Sequence, residues 1–159
     1  MGAPVLPVIY AHSHWANLTL IEFCLALDPA KRRLLAPGSY GTVETTIRHV
    51  VEAEEGYTSA LAGRERPPRA AAGDPVDLAG LLGRARATGA ALRTMLDADA
   101  DRTITSRSVP ATAGTILAQL VHHGNEHRGQ VASILGGNGV EPPDLSVWRF
   151  ASEGGVKLI

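Results

Sequence analysis

Four stretches of the chain repeat apolar residues at the three- and four-residue spacing that is typical of an amphipathic helix. They predict helices over Val8–Leu27, from the N-cap Thr42 to Ala62, over Val76–Leu96, and from the N-cap Thr112 to Gly136. The sequence lacks alternating strand patterns, although Thr103–Ser106 reads as a short extended segment. The pattern therefore predicts an all-α fold, a four-helix bundle with one core, as a single domain over residues 1–159.

The last predicted helix carries two histidines in its apolar face. At about 100° per residue, six side chains fall within an arc about 80° wide. They are Ile116, Leu120, His123, His127, Val131 and Ile134. Residues four apart lie one turn apart on the same face, so both imidazoles can bind one metal ion, whereas His122 points almost to the opposite side. The alternative is a pair of core histidines that are hydrogen-bonded to neighbouring groups.

Composition and charge narrow the classes of partner. The chain has 159 residues, 45% of them hydrophobic and 19% charged, as expected of one globular domain. Its net charge of −1 favours neither nucleic acid nor an anionic membrane as a partner. The N-terminus lacks a basic leader, no apolar run is long enough to span a bilayer, and the single cysteine, Cys24, fits a reducing compartment. We therefore expect a cytoplasmic protein with an inert core thiol.

Two further histidines are candidate site residues, and two irregular segments connect or follow the predicted helices. His49 lies on the flank of the second helix, a position suited to reaching between helices or to a helix boundary. His12 lies three residues before Trp15 on the first helix, where it either faces a site or is solvated. The arginines in the loop 63–75 are expected to be solvated. In the C-terminal tail, Trp148 and Phe150 are expected to pack on the helices.

Several short motifs resemble one known family. The run H-G-N-E-H-R-G-Q-V at 123–131, followed by L-G-G-N-G-V-E-P-P-D at 135–144, is similar to the signature of the DinB/YfiT-like superfamily. W-A-N at 15–17 and P-G-S-Y-G-T at 37–42 also resemble segments of that family. The resemblance implies a bundle of up-down-down-up order, often a homodimer, with a divalent metal ion, zinc or nickel. The metal ligands that it implies here are His49, His123 and His127.

The same resemblance implies an activity. Some members of the superfamily transfer low-molecular-weight thiols of the mycothiol or bacillithiol type to electrophiles, with the metal lowering the pKa of the thiol. A transferase that uses a small-molecule thiol and an electrophilic substrate is therefore the leading hypothesis. The alternatives are a metal-dependent hydrolase and a non-catalytic or stress-induced protein whose ion staples the bundle.

Three residues receive roles around the expected metal site. His12 is expected to face the metal cavity as a catalytic residue that contacts substrate or transfers a proton, because an imidazole titrates near neutral pH. Gln130 lies near the edge of the inward arc and is expected to orient a ligand histidine. Arg128 is expected to pair with a carboxylate, either on a neighbouring helix or across a dimer.

Overall fold

The fold is mainly helical, which confirms the predicted class. The computed structural model describes residues 5–96, 100–106 and 109–155. These residues form four long helices, a short helix between the first two of them, a β-hairpin before the last, and a second short helix after it. In chain order the elements are α1 (Val5–Ala26), α2 (Pro29–Arg32), α3 (Val43–Leu61), α4 (Leu78–Arg93), β1 (Thr103–Ser106), β2 (Val109–Thr112), α5 (Ala113–Gly137) and α6 (Val147–Ser152).

The helix ends follow local capping chemistry. The hydroxyls of Thr42 and Thr112 accept hydrogen bonds from the backbone N–H groups three residues later, which confirms both predicted N-caps. The first helix begins at Val5, earlier than predicted, because a proline such as Pro7 is tolerated in a first turn. The predicted start of α4 was too early, since the Asp77 side chain caps that helix by accepting from Gly80 N.

The long helices pack in pairs around two apolar clusters. Helix α1 contacts α4 and α5, and α3 also contacts α4 and α5. One cluster includes Leu20, Ile47 and Val131, and the other includes Tyr10, Leu61, Ile116 and Leu120. On α1, α3 and α5, buried polar residues lie between the residues of the two clusters, namely Ser13, Asn17, Glu54, Thr58 and Arg128. The core is therefore divided by a polar layer.

The hairpin and the C-terminal segment lie against these helices. Strands β1 and β2 are antiparallel, with Thr103 opposite Thr112, and they contact α3 and α5. Phe150 is 1% exposed, as expected, but Trp148 is 86% exposed, so the expectation that both pack on the helices was half wrong. Among residues 5–96, 100–106 and 109–155, none of the helices has the length and apolar character needed to cross a bilayer.

Candidate metal centre

Three histidines from two helices converge at one point between α3 and α5. His49 comes from α3, and His123 and His127 come from successive turns of α5. One ring nitrogen from each lies within 4.8 Å of the others, and the Nε2 atoms of His49 and His123 are 2.9 Å apart. The ring centroids are separated by 4.4 to 4.8 Å. The structure thus brings together the three histidines that the sequence singled out.

A glutamine fixes the orientation of one imidazole. Gln130 Oε1 lies 2.9 Å from Nδ1 of His127, so Nδ1–H donates this hydrogen bond and Nε2 keeps its lone pair for a metal. The same oxygen also accepts a hydrogen bond of 3.3 Å from the backbone N–H of Tyr40. The contact with His127 is the one expected of Gln130. Gln130 thus links His127 to the loop that precedes α3.

The electrostatic surroundings keep His49 in the form that binds metal. Burial first, then the neighbouring His123 and His127, and finally Arg69 and Arg66 together lower the pKa of His49 to about 4. His49 is therefore neutral at pH 7. A neutral imidazole is the protonation state that coordinates a metal ion.

The donor set fits a divalent transition metal. Three imidazole nitrogens suit zinc or nickel, whereas calcium and magnesium require oxygen ligands. Two nitrogens bound to one tetrahedral zinc ion at ~2.0 to 2.1 Å stand about 3.4 Å apart. The present separations bracket that value, from 2.9 Å to a limit of 4.8 Å.

Two tyrosines flank the histidines, and sequence analysis did not identify either as a site residue. The ring of Tyr40 stacks on His49 at a centroid distance of 3.9 Å and meets His127 edge-on at 5.4 Å. Tyr57 meets His123 edge-on at 5.9 Å. Tyr40 is 55% exposed, so it covers the centre on the solvent side. Its place in the P-G-S-Y-G-T motif was the available signal.

A comparison with protein-family models identifies the chain. The model of the DinB family matches residues 1–154. The chain belongs to the DinB family. This match includes all three histidines of the centre and agrees with the resemblance seen in the motifs. A search of the curated proteins finds none that matches this chain.

Two motifs of this DinB-family chain meet in the polar layer beside the metal centre. Asn17, from W-A-N, donates through Nδ2 to Glu54 Oε1 at 2.6 Å and accepts at Oδ1 from Arg128 Nη1, also at 2.6 Å. Arg128, from H-R-G-Q, also donates to Ser13 Oγ at 3.2 Å. A Cβ at Gly124 would come within 2.9 Å of Arg128 Nη1, so this position favours glycine. The layer therefore ties α1, α3 and α5 together.

Arg128 interacts with a carboxylate on a neighbouring helix, as predicted, but through the side chain of a third residue. Arg128 reaches the carboxylate of Glu54 on the neighbouring helix through the Asn17 amide. Burial raises the pKa of Glu54 to about 7, while Arg128 and the Asn17 hydrogen bond act in the opposite direction. Burial also lowers the pKa of Arg128, against the effect of Glu54. Glu54 was missed from the sequence although it falls in register with Val50 and Val51, four and three residues earlier.

His12 does not join the three histidines. Its Nε2 lies 2.8 Å from the Leu145 carbonyl oxygen, and its ring contacts Trp15 and Phe150 at centroid distances of 5.9 and 5.7 Å. These contacts place the ring in the packing of α1 against α6. The structure thus places His12 against the C-terminal segment and not among the three histidines, and its catalytic role stays a prediction.

Proposed function

We propose that this DinB-family protein is a metal-dependent transferase that joins a low-molecular-weight thiol, of the mycothiol or bacillithiol type, to an electrophile. The observation that carries the proposal is the convergence of nitrogens from His49, His123 and His127 within 4.8 Å. Three protein ligands leave a coordination position for substrate, which is the arrangement of catalytic sites. When bound, zinc or nickel would lower the pKa of the thiol so that thiolate is available at neutral pH.

The protein residues would hold and shield the reacting groups. Gln130 holds His127 with its Nε2 directed away from the Gln130 amide, which presets one ligand before metal arrives. Tyr40 lies over His49 and limits the access of water on that side. Tyr57 forms the wall near His123, where a substrate entering along α3 would pass. These roles are ones of binding, orientation and exclusion of water.

A second function is favoured by the placement of the ligands. His49 lies on α3 while His123 and His127 lie on α5, so an ion would cross-link two helices. Such a cross-link stabilises the fold without turnover, as in a stress-induced metal-binding protein. Hydrolysis by a metal-activated water is the corresponding alternative enzyme activity.

The direct experiment is a transfer assay on the metal-loaded protein. Mycothiol, bacillithiol and glutathione are each offered with 1-chloro-2,4-dinitrobenzene, and formation of the thioether with release of chloride and a proton is followed by absorbance. We expect one thiol to react at a rate that His123→Ala abolishes and the exposed-site control His122→Ala preserves. Equal rates for the wild type and His123→Ala with every thiol would contradict the transferase proposal. Metal-dependent stability without turnover would then favour the cross-link.

We also propose the order of the helices, a homodimeric state and a cytoplasmic location for the protein. One apolar cluster supports the up-down-down-up order of a four-helix bundle. It contains Cys24 near the end of α1 and Leu135 near the end of α5, together with Val43 near the start of α3 and Leu78 near the start of α4. The ends of α1 and α5 thus meet the starts of α3 and α4. A homodimer is supported by exposed apolar residues such as Trp148. The free, buried thiol of Cys24 supports a reducing, cytoplasmic location.

A further inference from the structure

A large cleft begins one helical turn from the metal centre. It has a volume of about 810 Å³ and runs between α3 and α5 towards the hairpin. Ala53, one turn after His49, and Gln119, one turn before His123, both line it. Tyr57 lines the cleft and also touches the ring of His123. The cleft and the metal centre are therefore neighbours that share Tyr57.

The cleft is cationic. Three arginines line it, Arg64, Arg66 and Arg102. Among the described residues that line it, none is acidic. The volume lies within the range of small-molecule sites, and a cluster of one sign of charge in a concave surface focuses the field on a ligand of the opposite sign.

Two of these arginines are held in place by backbone groups. Arg66 lies across α3 at Gly56, where a Cβ would come within 2.8 Å of the arginine Nε, and its Nη2 donates to the Glu52 carbonyl at 3.2 Å. Arg102 Nη2 donates to the Leu61 carbonyl at 2.7 Å. Arg66 is half-buried, so the expectation that the arginines of this loop are solvated was wrong for it. The loop and the hairpin thus deliver positioned guanidinium groups to the cleft.

We propose that this cleft binds a carboxylate group of the small molecule that reacts at the metal centre, so that the substrate is an organic acid. Guanidinium groups bind carboxylates with two parallel hydrogen bonds, which orients the ligand as well as holding it. The carboxylate would rest against Arg64, Arg66 and Arg102 while the rest of the molecule extends past Tyr57. This inference rests on the proposed function for the identity of the reacting centre. The binding of a carboxylate is a property of the cleft itself.

The test is an NMR titration of the full-length, zinc-loaded protein with succinate. Succinamide, the neutral diamide of the same size, is the matched ligand control, and the readout is the side-chain Nε–H signals of the arginines. We expect saturable shifts for Arg64, Arg66 and Arg102 with a dissociation constant below about 10 mM, and none with succinamide. Arg64→Gln with Arg102→Gln should weaken binding at least about fivefold. Arg33→Gln, which removes an exposed charge after α2, should leave it unchanged.

The outcomes separate this inference from the proposed function. If succinate moves the three arginine signals no more than sodium chloride of equal ionic strength does, the carboxylate site is refuted, whatever the transfer assay shows. If the signals titrate but no thiol is transferred, the carboxylate site stands and the transferase proposal fails. If transfer occurs, N-acetylcysteine should show a lower KM than its methyl ester, and the double arginine variant should remove that difference.

Discussion

Replacement of Asn17 by alanine tests the polar layer that joins the two family motifs. The Asn17 amide contacts both charged members of the layer, donating to Glu54 and accepting from Arg128 at 2.6 Å each. Asn17 is 3% exposed, so water does not reach these bonds in the native protein. Alanine removes both bonds and leaves the carboxyl and guanidinium groups buried.

The magnitude follows from the charges of the partners. A hydrogen bond to a buried charged group contributes about 1.5 to 3 kcal/mol, so two such bonds amount to about 3 to 6 kcal/mol. Water that enters the space left by the amide can bond to the same groups and restores part of this free energy. We expect the free energy of unfolding to fall by about 3 to 4 kcal/mol, a large share of the ~5 to 15 kcal/mol of a typical domain.

The effect should also depend on pH. The Asn17 hydrogen bond lowers the pKa of Glu54, against the larger effect of burial, which raises it. Without Asn17 the pKa rises further above its unfolded value. In the native state of the variant, Glu54 therefore holds its proton more tightly than in the wild type. The free energy of unfolding of the variant falls more steeply as pH rises through neutrality. The loss should be larger at pH 8 than at pH 5.

Urea denaturation followed by circular dichroism at the two pH values measures both effects. Asn125→Ala is the matched control, because Asn125 is an exposed asparagine on α5, and it should change stability by less than about 0.5 kcal/mol. A loss below 1 kcal/mol for Asn17→Ala, or one that does not differ from the control, would refute the view that this amide holds the layer together.

Three further predictions concern single side chains. Burial raises the pKa of Cys24 to about 12, so iodoacetamide at pH 8 should label it only in denaturant, and labelling of the native protein at the denatured rate would contradict this. Burial raises the pKa of Glu54 from 4.5 to about 7, so the native state binds a proton more tightly than the unfolded state. The free energy of unfolding should therefore fall as pH rises between these values. Glu54→Gln should remove that pH dependence in urea denaturation, and an unchanged pH dependence would mean that another group causes it. Gln130→Leu removes the acceptor of His127 Nδ1 and should weaken zinc binding about 10- to 100-fold in chelator competition, whereas unchanged affinity would deny Gln130 an orienting role.

The sequence predicted the parts of the molecule that depend on helical periodicity. The register of α5 placed His123 and His127 on one inward face, and the N-caps at Thr42 and Thr112 marked where two helices begin. The same periodicity contained the signal for Glu54, which lies in the buried register of α3. A charged residue in an apolar stripe indicates a buried partner, and here that partner lies on another helix.

Other features depend on contacts between distant segments, which periodicity does not describe. His12 is engaged by Leu145 and Phe150, from a tail whose short helix has only six residues. Arg66 lies over Gly56 because an irregular loop folds back along α3. Tyr40 stacks on His49 from the loop before that helix. Each contact is set by the path of a loop, for which the sequence offers a motif at most.

Metal analysis of single alanine variants tests the central claim most directly. Proteins purified without an affinity tag are analysed by inductively coupled plasma mass spectrometry for zinc and nickel per chain. We expect about one ion per chain in the wild type and in His122→Ala, whose side chain is exposed, and a strong loss in His49→Ala, His123→Ala and His127→Ala. Stoichiometric metal in both His123→Ala and His127→Ala would contradict the assignment of these histidines as ligands.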